Sequence, residues 1–318
     1  MSGYGPPSVL TPVGRDIPHP PEGELVVKNA VIGVNRSDCM IRAGAWPQGG
    51  GFPYVPGLEA CGTVERVGRG VKRFRPGDRV ITMMQRLGGI HGTRAGGYQE
   101  YVSIEESAAS RVPDGISLEA IGELGLPAVT ALAGIDLLNV GGLARVLVHA
   151  GTSAVGQLAI QLARAAGAEV IATGTRADKA QAVRDLGAAF ISTKTEGWWE
   201  EVGRVDRVFD LVGGPLFART VSLLEPGGRL VFVGGMAGGD VAFSGWDLMR
   251  PVTITGYSSE SLTRVAVDGY LSRLAAAHAA GQLAVRQLTR FPLAEAAQAH
   301  ARMEGGWITG RTVLVPGR

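Results

Sequence analysis

The clearest pattern along the chain is a short apolar, β-branched run that ends in a glycine turn and continues into a helical repeat. Residues 146–150 form the run, and residues 151–156 read Gly-Thr-Ser-Ala-Val-Gly. From 157 to 166 apolar side chains recur at helical spacing, and 169–173 form a second β-branched run. Strand, tight turn, helix and strand in this order predict a βαβ unit of the kind that binds dinucleotides.

The residues of the turn fit this chemistry. Gly151 allows a sharp bend, and Gly156 lets the helix pack closely on the strand. We expect the backbone N–H groups at the helix start, at Ala154 and Val155, to face a pyrophosphate, helped by the positive end of the helix dipole. Ser153 stands where the G-x-G-x-x-G fingerprint has its middle glycine, but a serine is small and its hydroxyl can donate to a phosphate oxygen. The complete strand-turn-helix-strand context favours a dinucleotide site over an ordinary glycine turn.

The remaining pattern separates a β-rich region from a doubly wound one. Up to about residue 110 short β-rich runs alternate with turns, and from Leu118 the pattern becomes helical. The strands predicted for the doubly wound region are 146–150, 169–173, 207–211, 229–233 and 252–255. Gly234 follows the fourth of them, at the carboxyl edge where a ligand crosses an open sheet. The sequence therefore predicts domains at 1–117 and 118–258, with 259–318 returning to the first.

Composition excludes several classes of protein. The formal net charge is only +2 over 318 residues, so the basic surface of a nucleic-acid-binding protein is not expected. We expect no stretch apolar and long enough to cross a bilayer, and the first four residues, Met-Ser-Gly-Tyr, do not predict a secretory signal peptide. The two cysteines, Cys39 and Cys61, exclude a disulfide framework and a four-cysteine zinc lobe, which favours a cytoplasmic protein.

Further segments carry a family resemblance and follow one another in a characteristic order. They are Gly33-Val34-Asn35-Arg36-Ser37-Asp38, Gly57-Leu58-Glu59-Ala60-Cys61-Gly62, Pro76-Gly77-Asp78-Arg79-Val80, Gly96-Gly97-Tyr98 and Gly310-Arg311-Thr312-Val313-Leu314. Together with the glycine turn they resemble the medium-chain dehydrogenase/reductase superfamily and, within it, the zinc-independent quinone oxidoreductases related to ζ-crystallin. The resemblance implies an α/β protein with a GroES-like β-rich domain and a Rossmann domain containing a doubly wound parallel sheet.

The same segments argue against a catalytic zinc ion. Zinc-dependent alcohol dehydrogenases of this superfamily carry a cysteine where this chain has Asn35, and a histidine where it has Leu58. Neither side chain present supplies the thiolate or imidazole that such a site needs. Core packing is the expectation for His149, and a structural or solvent-facing position for His278 and His300. No metal is predicted.

The resemblance also implies which residues lie beside the nicotinamide and the substrate. Asn35 and Asp38 match the family's Asn-x-x-Asp, and Thr130 matches a family threonine near the cofactor. Met40 and Trp46 stand where tyrosines are common, so we expect a more apolar pocket with fewer hydroxyl donors. The resemblance therefore implies a catalytic set of Asn35, Asp38 and Trp46, with Asn35 hydrogen-bonding the substrate carbonyl or the cofactor carboxamide. The family usually begins with an extra strand, and this chain starts about where that strand would end.

The residues after the second strand of the βαβ unit predict NADPH rather than NADH. NAD-specific folds place an acidic residue there to accept the ribose 2′-hydroxyl, whereas 173–179 read Thr-Gly-Thr-Arg-Ala-Asp-Lys. Thr175 offers a hydroxyl and Arg176 a guanidinium fork, both suited to a 2′-phosphate. The other expected contacts with the cofactor are Thr173, Lys179 and Lys194. Two observations oppose this interpretation: surface cations are commonly only solvated, and a slight shift of the turn would bring Asp178 to the ribose.

These observations favour an NADPH-dependent reductase that transfers hydride to a small-molecule quinone or α,β-unsaturated carbonyl. A second interpretation is an enoyl-thioester reductase of fatty-acid or polyketide synthesis, because an apolar pocket would suit an acyl chain. The apolar residues in question are Met40, Trp46, Met83 and Met84. A third is a catalytically silent NADPH-binding protein. The loop 83–93 either roofs the pocket or is an ordinary surface loop. From the resemblance we expect a homodimer that pairs through the edge strand at 252–255.

Overall fold

The structure is a computed structural model that describes residues 1–46, 51–84 and 94–317. Most of the predicted loop 83–93 therefore lies outside the described residues, since these resume at Arg94 after Met84.

Strands and helices alternate irregularly at first and then regularly. The strands are β1 (Glu24–Val34), β2 (Glu59–Val67), β3 (Arg79–Met83), β4 (Tyr101–Glu105), β5 (Ser110–Arg111), β6 (Arg145–Val148), β7 (Glu169–Gly174), β8 (Ala189–Ser192), β9 (Val205–Asp210), β10 (Leu224–Phe232), β11 (Thr253–Gly256), β12 (Leu288–Pro292) and β13 (Arg311–Val315). The α-helices are α1 (Arg36–Ala43), α2 (Leu118–Leu138), α3 (Ala154–Ala165), α4 (Ala180–Arg184), α5 (Trp198–Val202), α6 (Phe217–Ser222), α7 (Arg264–Ala279) and α8 (Ala296–Glu304).

The chain forms two compact units. The first consists of Met1–Leu126, Ser259–Ala279 and Leu288–Arg318, and the second of Pro127–Ser258 and Ala280–Gln287. The first division thus falls inside α2 rather than at 117/118, and a short segment after α7 joins the second unit.

The first unit is organised around the long strand β1, which pairs antiparallel with β2, β4 and β13. The sheet runs β12-β13-β1-β2-β3-β5, with β4 also on β1. Ten of the eleven residues of β1 are buried or half-buried, because three strands and two apolar clusters cover it. One cluster contains Leu25 and Val64, and the other contains Ile32, Phe291 and Leu314. This is the GroES-like half of the predicted fold class, and it is confirmed.

The second unit contains a six-stranded parallel sheet in the order β8-β7-β6-β9-β10-β11. Successive strands step outwards from β6 on one side and from β9 on the other, so the order reverses between them. Such a reversal is where doubly wound sheets bind their ligands. An apolar cluster that includes Leu147, Val208 and Leu230 packs the sheet. The Rossmann half of the predicted fold class is confirmed as well.

Some predicted boundaries were wrong. Residues 96–102 alternate after a glycine pair and so predict a strand that starts at Gly96, but β4 begins only at Tyr101. The backbone before it turns to bond with residues 56 and 57, and Tyr98 N–H donates to the Pro56 carbonyl (2.9 Å). The strands β5 and β12 were not predicted. Strand β5 has only two residues, and β12, which reads Leu-Thr-Arg-Phe-Pro, shows little alternation of apolar and polar residues. His300 on α8 is buried, and its Nε2 lies 2.9 Å from the Tyr98 hydroxyl, so its role is structural.

Helix α2 corrects the expectation that no stretch could cross a membrane. By length and composition it is long and apolar enough, with a mean hydropathy of 1.5 over its most apolar window. In the structure 78% of that window is buried, as in the core helix of a globular protein. The helix is also interrupted at Gly125 (φ 48°, ψ −150°), just before Pro127. In the described part of the chain it is the one helix that passes this test, which is weak evidence for a span.

Candidate functional site

The glycine turn after β6 forms the start of α3. Gly151 N–H donates to the Thr173 carbonyl (2.9 Å), which ties the turn to the end of β7. A Cβ atom at Gly156 would overlap the Ala150 carbonyl, so the close approach of helix and turn requires glycine there. The first N–H groups of a helix have no acceptor within it. Helix α3 follows the turn at the carboxyl end of β6, so the N–H groups of Ala154 and Val155 lie at that edge of the sheet. They are placed there to bind a pyrophosphate.

Ser153 caps α3, a role that the sequence did not predict. Its Oγ accepts a hydrogen bond from Gly156 N–H (3.0 Å). Because the oxygen acts here as an acceptor, the hydroxyl proton is still a donor toward a ligand. The serine thus replaces the middle glycine of the fingerprint without losing the helix start, and it stabilises that start.

Behind the turn lies a buried chain of hydrogen bonds through His149. Its Nδ1 is 2.6 Å from Thr173 Oγ1 and its Nε2 is 2.8 Å from Thr220 Oγ1. Thr220 donates its own proton to the Leu216 carbonyl (2.9 Å), so it must accept from His149 Nε2–H. Nδ1 then accepts from Thr173, and the ring is neutral. Burial lowers the pKa of His149, although the carboxylate of Asp210 opposes this shift.

The predicted cofactor contact at Thr173 needs correction. The side chain is 1% exposed and bonds to His149, so it does not face a ligand. It serves the site indirectly, because it fixes the end of β7 beside the end of β6. His149 is a core residue, as expected, but it is one that makes two hydrogen bonds rather than apolar contacts alone.

The ends of β9 and β10 form the other side of the sheet's switch point. Asp210 Oδ1 accepts from the N–H groups of Val212 (2.8 Å) and Gly213 (3.1 Å). Gly234 lies next to it, with its N–H directed at the Asp210 carbonyl (3.4 Å). Among the described residues the buried Asp210 Oδ2 has no hydrogen-bond partner. Sequence reasoning missed Asp210. The usable signal was an aspartate at a strand end, three residues before a glycine pair.

The residues expected to bind the ribose phosphate lie after β7 and β8. Thr193 N–H donates to the Gly174 carbonyl (2.9 Å), which places the loop containing Lys194 beside the tip of β7. Thr175 and Lys194 are exposed, and Arg176 and Lys179 are half-buried. Four residues with hydrogen-bond donors, three of them cations, therefore lie in the two neighbouring loops after β7 and β8. Thr130, the remaining predicted contact, is a half-buried position of α2 between buried neighbours.

In the first unit the side-chain amide of Asn35 is fixed at both ends. Its Nδ2 donates to Glu59 Oε1 (3.0 Å), and its Oδ1 accepts from Arg311 Nη1 (3.2 Å). These partners define which end is oxygen and which is nitrogen. Because Arg311 already engages Oδ1, donation from Nδ2 is the interaction that Asn35 can offer to a ligand oxygen.

Glu59 and Arg311 form a buried ion pair that sequence reasoning missed. Their side chains are 2% and 1% exposed, and Arg311 Nη2 bonds to Glu59 Oε1. Glu59 Oε2 also accepts from Leu126 N–H (2.6 Å). A Cβ at Gly33 or Gly125 would overlap this pair, so both positions require glycine. Gly33, Glu59 and Arg311 lie in the segments that carry the family resemblance, but the pairing itself has no local signal.

Asp38 has a positioning role rather than a contact with reacting atoms. It is fully buried, and its carboxylate accepts from Asn35 N–H (2.8 Å) and Leu58 N–H (3.0 Å). Burial raises its pKa to about 7, with a smaller contribution from the nearby Glu59 charge, whereas the two backbone N–H groups and the side chain of Asn35 favour the anion and lower the pKa. Asp38 thus ties the start of α1 to the Gly57-Leu58-Glu59 segment.

The apolar residues proposed for the pocket are distributed unevenly. Met83 and Met84 are buried, at 0% and 8% exposure, and Met83 pairs with Glu59 across β2 and β3. Met40 is 38% exposed, and Trp46 is half-buried with its N–H donating to the Met40 carbonyl (3.2 Å). Met40 and Trp46 therefore remain accessible residues of the first unit, whereas Met83 belongs to its core.

Two sequence families match the chain. The family described as "Alcohol dehydrogenase GroES-like domain" matches residues 21–114, and the one described as "Zinc-binding dehydrogenase" matches residues 154–277. The first range contains β1 to β4 with Asn35 and Glu59, and the second begins at the helix that follows the glycine turn.

Known proteins match over nearly the full length. The "Probable quinone oxidoreductase" of Schizosaccharomyces pombe is 32% identical over 99% of this chain and 95% of its own length. A "Mycocerosic acid synthase-like polyketide synthase" of Mycolicibacterium smegmatis is 32% identical over 94% of this chain, which corresponds to 14% of that protein. The crystal structure of Escherichia coli quinone oxidoreductase complexed with NADPH has a TM-score of 0.87 and 28% identity, covering 99% of this chain and 98% of that one. Given these relatives, this chain is an oxidoreductase of the medium-chain dehydrogenase/reductase superfamily and belongs to its quinone oxidoreductase branch.

Proposed function

We propose that this chain is an NADPH-dependent reductase that transfers hydride to a quinone or an α,β-unsaturated carbonyl without a catalytic zinc ion. The observation that carries the proposal is the tip of β7, where Thr175, Arg176 and Lys179 follow the strand that borders the glycine turn. A doubly wound sheet can bind NADH or NADPH, so the side chains at this tip determine which of the two binds more tightly. Cations suit a 2′-phosphate, and a relative of the same branch was crystallised with NADPH.

The choice of cofactor is tested at Arg176. A charge-assisted hydrogen bond contributes about 1.5–3 kcal/mol, so Arg176→Ala should raise KM for NADPH roughly tenfold or more and leave KM for NADH nearly unchanged. Arg184→Ala, on the exposed face of α4, is the matched control and should alter neither. Equal use of both cofactors by the unmutated protein would contradict the choice of NADPH.

The residues of each unit have separate roles in the proposed reaction. NADPH, when bound, supplies the hydride. The α3 N–H groups and the cations after β7 bind its phosphates, while Asn35 donates from Nδ2 to the substrate carbonyl or to the carboxamide. Arg311 and Glu59 hold that amide in one orientation, so the donor needs no reorganisation when charge develops on the acceptor oxygen.

The proposal of a metal-independent enzyme rests on the groups now seen at the ligand positions. Asn35 is engaged with Glu59 and Arg311, and Leu58 is a buried aliphatic side chain. Glu59, the neighbouring carboxylate, is neutralised by Arg311. Activity should therefore survive dialysis against a chelator. Stoichiometric zinc in the purified protein, with activity lost when it is removed, would contradict this part of the proposal.

A second candidate function is the reduction of an enoyl thioester. The similarity of almost the whole chain to a segment of a polyketide synthase favours it. NADPH oxidation should be followed with quinones, enones and enoyl thioesters as acceptors in one panel. The main proposal requires the highest kcat/KM on a quinone or enone, whereas the highest value on a thioester would favour the second. Turnover of none of them would favour a silent NADPH-binding protein.

We further propose a homodimer and a cytoplasmic location. Strand β11 is the outer strand of the parallel sheet and is exposed or half-buried along its length. The segment before it exposes Trp246 (81%) and Met249 (76%). A second copy of this chain that pairs along β11 would cover both the strand edge and these side chains.

The cytoplasmic proposal rests on two buried free thiols, of which Cys39 has its pKa raised to about 12 by burial, and cell fractionation tests it.

A further inference from the structure

The guanidinium of Arg176 is held by a carboxylate of the same loop. Arg176 Nε donates to Asp178 Oδ1 (2.8 Å) and Nη2 donates to Oδ2 (2.6 Å). Two parallel bonds of this kind are how a guanidinium binds carboxylates and phosphates alike. Asp178 therefore occupies one of the faces of Arg176 that would receive a phosphate.

The Arg176–Asp178 pair lies where this fold is expected to bind the ribose of the adenosine half of a dinucleotide. Arg176 immediately precedes the 3₁₀ turn Ala177–Lys179, two residues beyond the end of β7. The side chains are 39% and 59% exposed, so a ligand anion reaches both. The pair does not belong to the core and can rearrange when a ligand arrives.

A second cation lies in the same turn. Lys179 has its pKa lowered, first by burial and then by the positive charge of Arg176, while Asp178 opposes the shift. Two cations thus crowd around one carboxylate. The turn attracts an additional anion through its net positive charge, but that anion must compete with the carboxylate already present.

We propose that Asp178 is a specificity-determining residue whose carboxylate competes with the 2′-phosphate of NADPH for Arg176 and so weakens the preference for NADPH over NADH. The inference rests on the proposed function, because it takes a nicotinamide adenine dinucleotide as the ligand. A 2′-phosphate must displace Asp178 and then lies close to the displaced negative charge. NADH carries a hydroxyl at this position and leaves the pair intact.

The opposite role for Asp178 would be to accept the ribose 2′-hydroxyl of NADH, as acidic residues do in NAD-specific folds. The carboxylate would then have to leave Arg176 and turn to the ribose. The two roles predict different changes in affinity when the carboxylate is removed. Competition predicts that a ligand with a 2′-phosphate binds more tightly. Recognition of the hydroxyl predicts that NADH binds more weakly.

The test compares Asp178→Asn with the matched control Asp185→Asn, which removes the same charge from an exposed residue at the end of α4. Binding to the full-length protein is measured by calorimetry with two fragments, adenosine 2′,5′-bisphosphate and AMP, and then with NADH. Exposed ion pairs shift an equilibrium constant by up to roughly fivefold, and repulsion by the displaced carboxylate acts in the same direction. We expect Asp178→Asn to bind the bisphosphate about three- to tenfold more tightly, with AMP and NADH unchanged within about twofold. The control should change none of them.

A double variant locates the effect. In an Arg176→Ala background the gain from Asp178→Asn should fall to about twofold or less, the part that repulsion alone supplies, because the competitor then has no shared partner. A gain of equal size in that background would show a general field effect and overturn the inference. So would an unchanged affinity for the bisphosphate, or weaker binding of AMP or NADH. Asp178→Ala is the second variant and should reproduce the result.

Failure of this inference is separable from failure of the proposed function. The fragments report on the ribose site without any turnover. If the unmutated protein binds the bisphosphate but reduces no acceptor in the panel, the proposed reductase is wrong and the role of Asp178 can still be read. If it reduces quinones with NADPH while Asp178→Asn binds the bisphosphate as before, only the inference fails.

Discussion

Asn35 shows how a single side chain acquires a defined chemical role from its neighbours. Glu59 accepts one of its two amide hydrogens and Arg311 donates to its oxygen, so only a donor remains for a ligand. An isolated asparagine offers both functions and flips between them. The buried ion pair therefore converts an ambiguous residue into a fixed hydrogen-bond donor. Asp38 also supports this arrangement, because its carboxylate accepts a hydrogen bond from the Asn35 backbone N–H.

Replacing Asn35 should affect every substrate, since the donor acts on a carbonyl oxygen that all candidates share. Asn35→Ala should lower kcat/KM up to about tenfold for each acceptor, the effect of one neutral hydrogen bond. Trp46→Ala is the contrasting variant: it should change the order of substrates by size rather than lower all of them. Steady-state kinetics on the acceptor panel checks this, with thermal melts to confirm folding. Unchanged kinetics in both folded variants would mean that both residues only pack.

The raised pKa of Asp38 predicts how stability depends on pH. An acid whose pKa is higher in the folded state contributes stability at low pH and loses it as pH rises through the folded value, here from the ordinary 3.8 toward about 7. Relative to Asp38→Asn, the unmutated protein should therefore lose stability between about pH 4 and 7, by an amount on the order of 4 kcal/mol. Urea unfolding of both proteins across this range measures the difference. A difference that does not vary with pH would contradict the buried-acid interpretation.

At the scale of elements, glycines decide where helices and strands approach the chemistry. Gly156 lets α3 begin against the turn, and Gly125 interrupts α2 so that the next N–H, of Leu126, reaches Glu59. The first was predicted from a motif, because its requirement is local. The second was not, since the group that excludes a side chain at Gly125 comes from a distant strand.

Gly125→Ala should be strongly destabilising for two reasons. The residue has φ 48° and ψ −150°, which a residue with a side chain rarely adopts, and its Cβ would displace the Glu59 carboxylate. We expect a loss of about 3 kcal/mol in the free energy of unfolding. Gly115→Ala is the control, because Gly115 has φ 82° and no atom near an added Cβ, so it carries only the conformational cost of about 1 kcal/mol. Chemical denaturation separates them, and equal losses would show that the Glu59 contact is unimportant.

At the scale of the whole molecule, two different sheets carry two different tasks. The parallel sheet brings the ends of β6, β7, β9 and β10 to one edge, and its order makes that edge a dinucleotide site. The mixed sheet around β1 instead brings Asn35, Glu59 and Arg311 together from three segments. The parallel sheet leaves β11 as an outer strand, which a second copy is proposed to cover.

If a second copy pairs along β11, light scattering at micromolar concentration should give twice the chain mass of 33.1 kDa. The double variant Trp246→Lys with Met249→Lys should lower that mass toward the monomer, because it places cations on the apolar segment before the strand. Trp307→Lys, at a comparably exposed tryptophan (67%) of the first unit, should leave the mass unchanged. A monomeric unmutated protein would contradict the proposal.

The sequence by itself determined what depends on neighbours along the chain. The βαβ unit, the glycine turn and the order of strands and helices follow from local periodicity and from turn residues, so they were predictable. What the tertiary structure decided are contacts between distant residues. Glu59 and Arg311 are 252 positions apart, and nothing in either segment signals the pairing. For the same reason the burial of Thr173 against His149, the two backbone bonds of Asp38 and the exposure of β11 became visible only in the folded chain, because burial and partnership depend on packing and not on spacing.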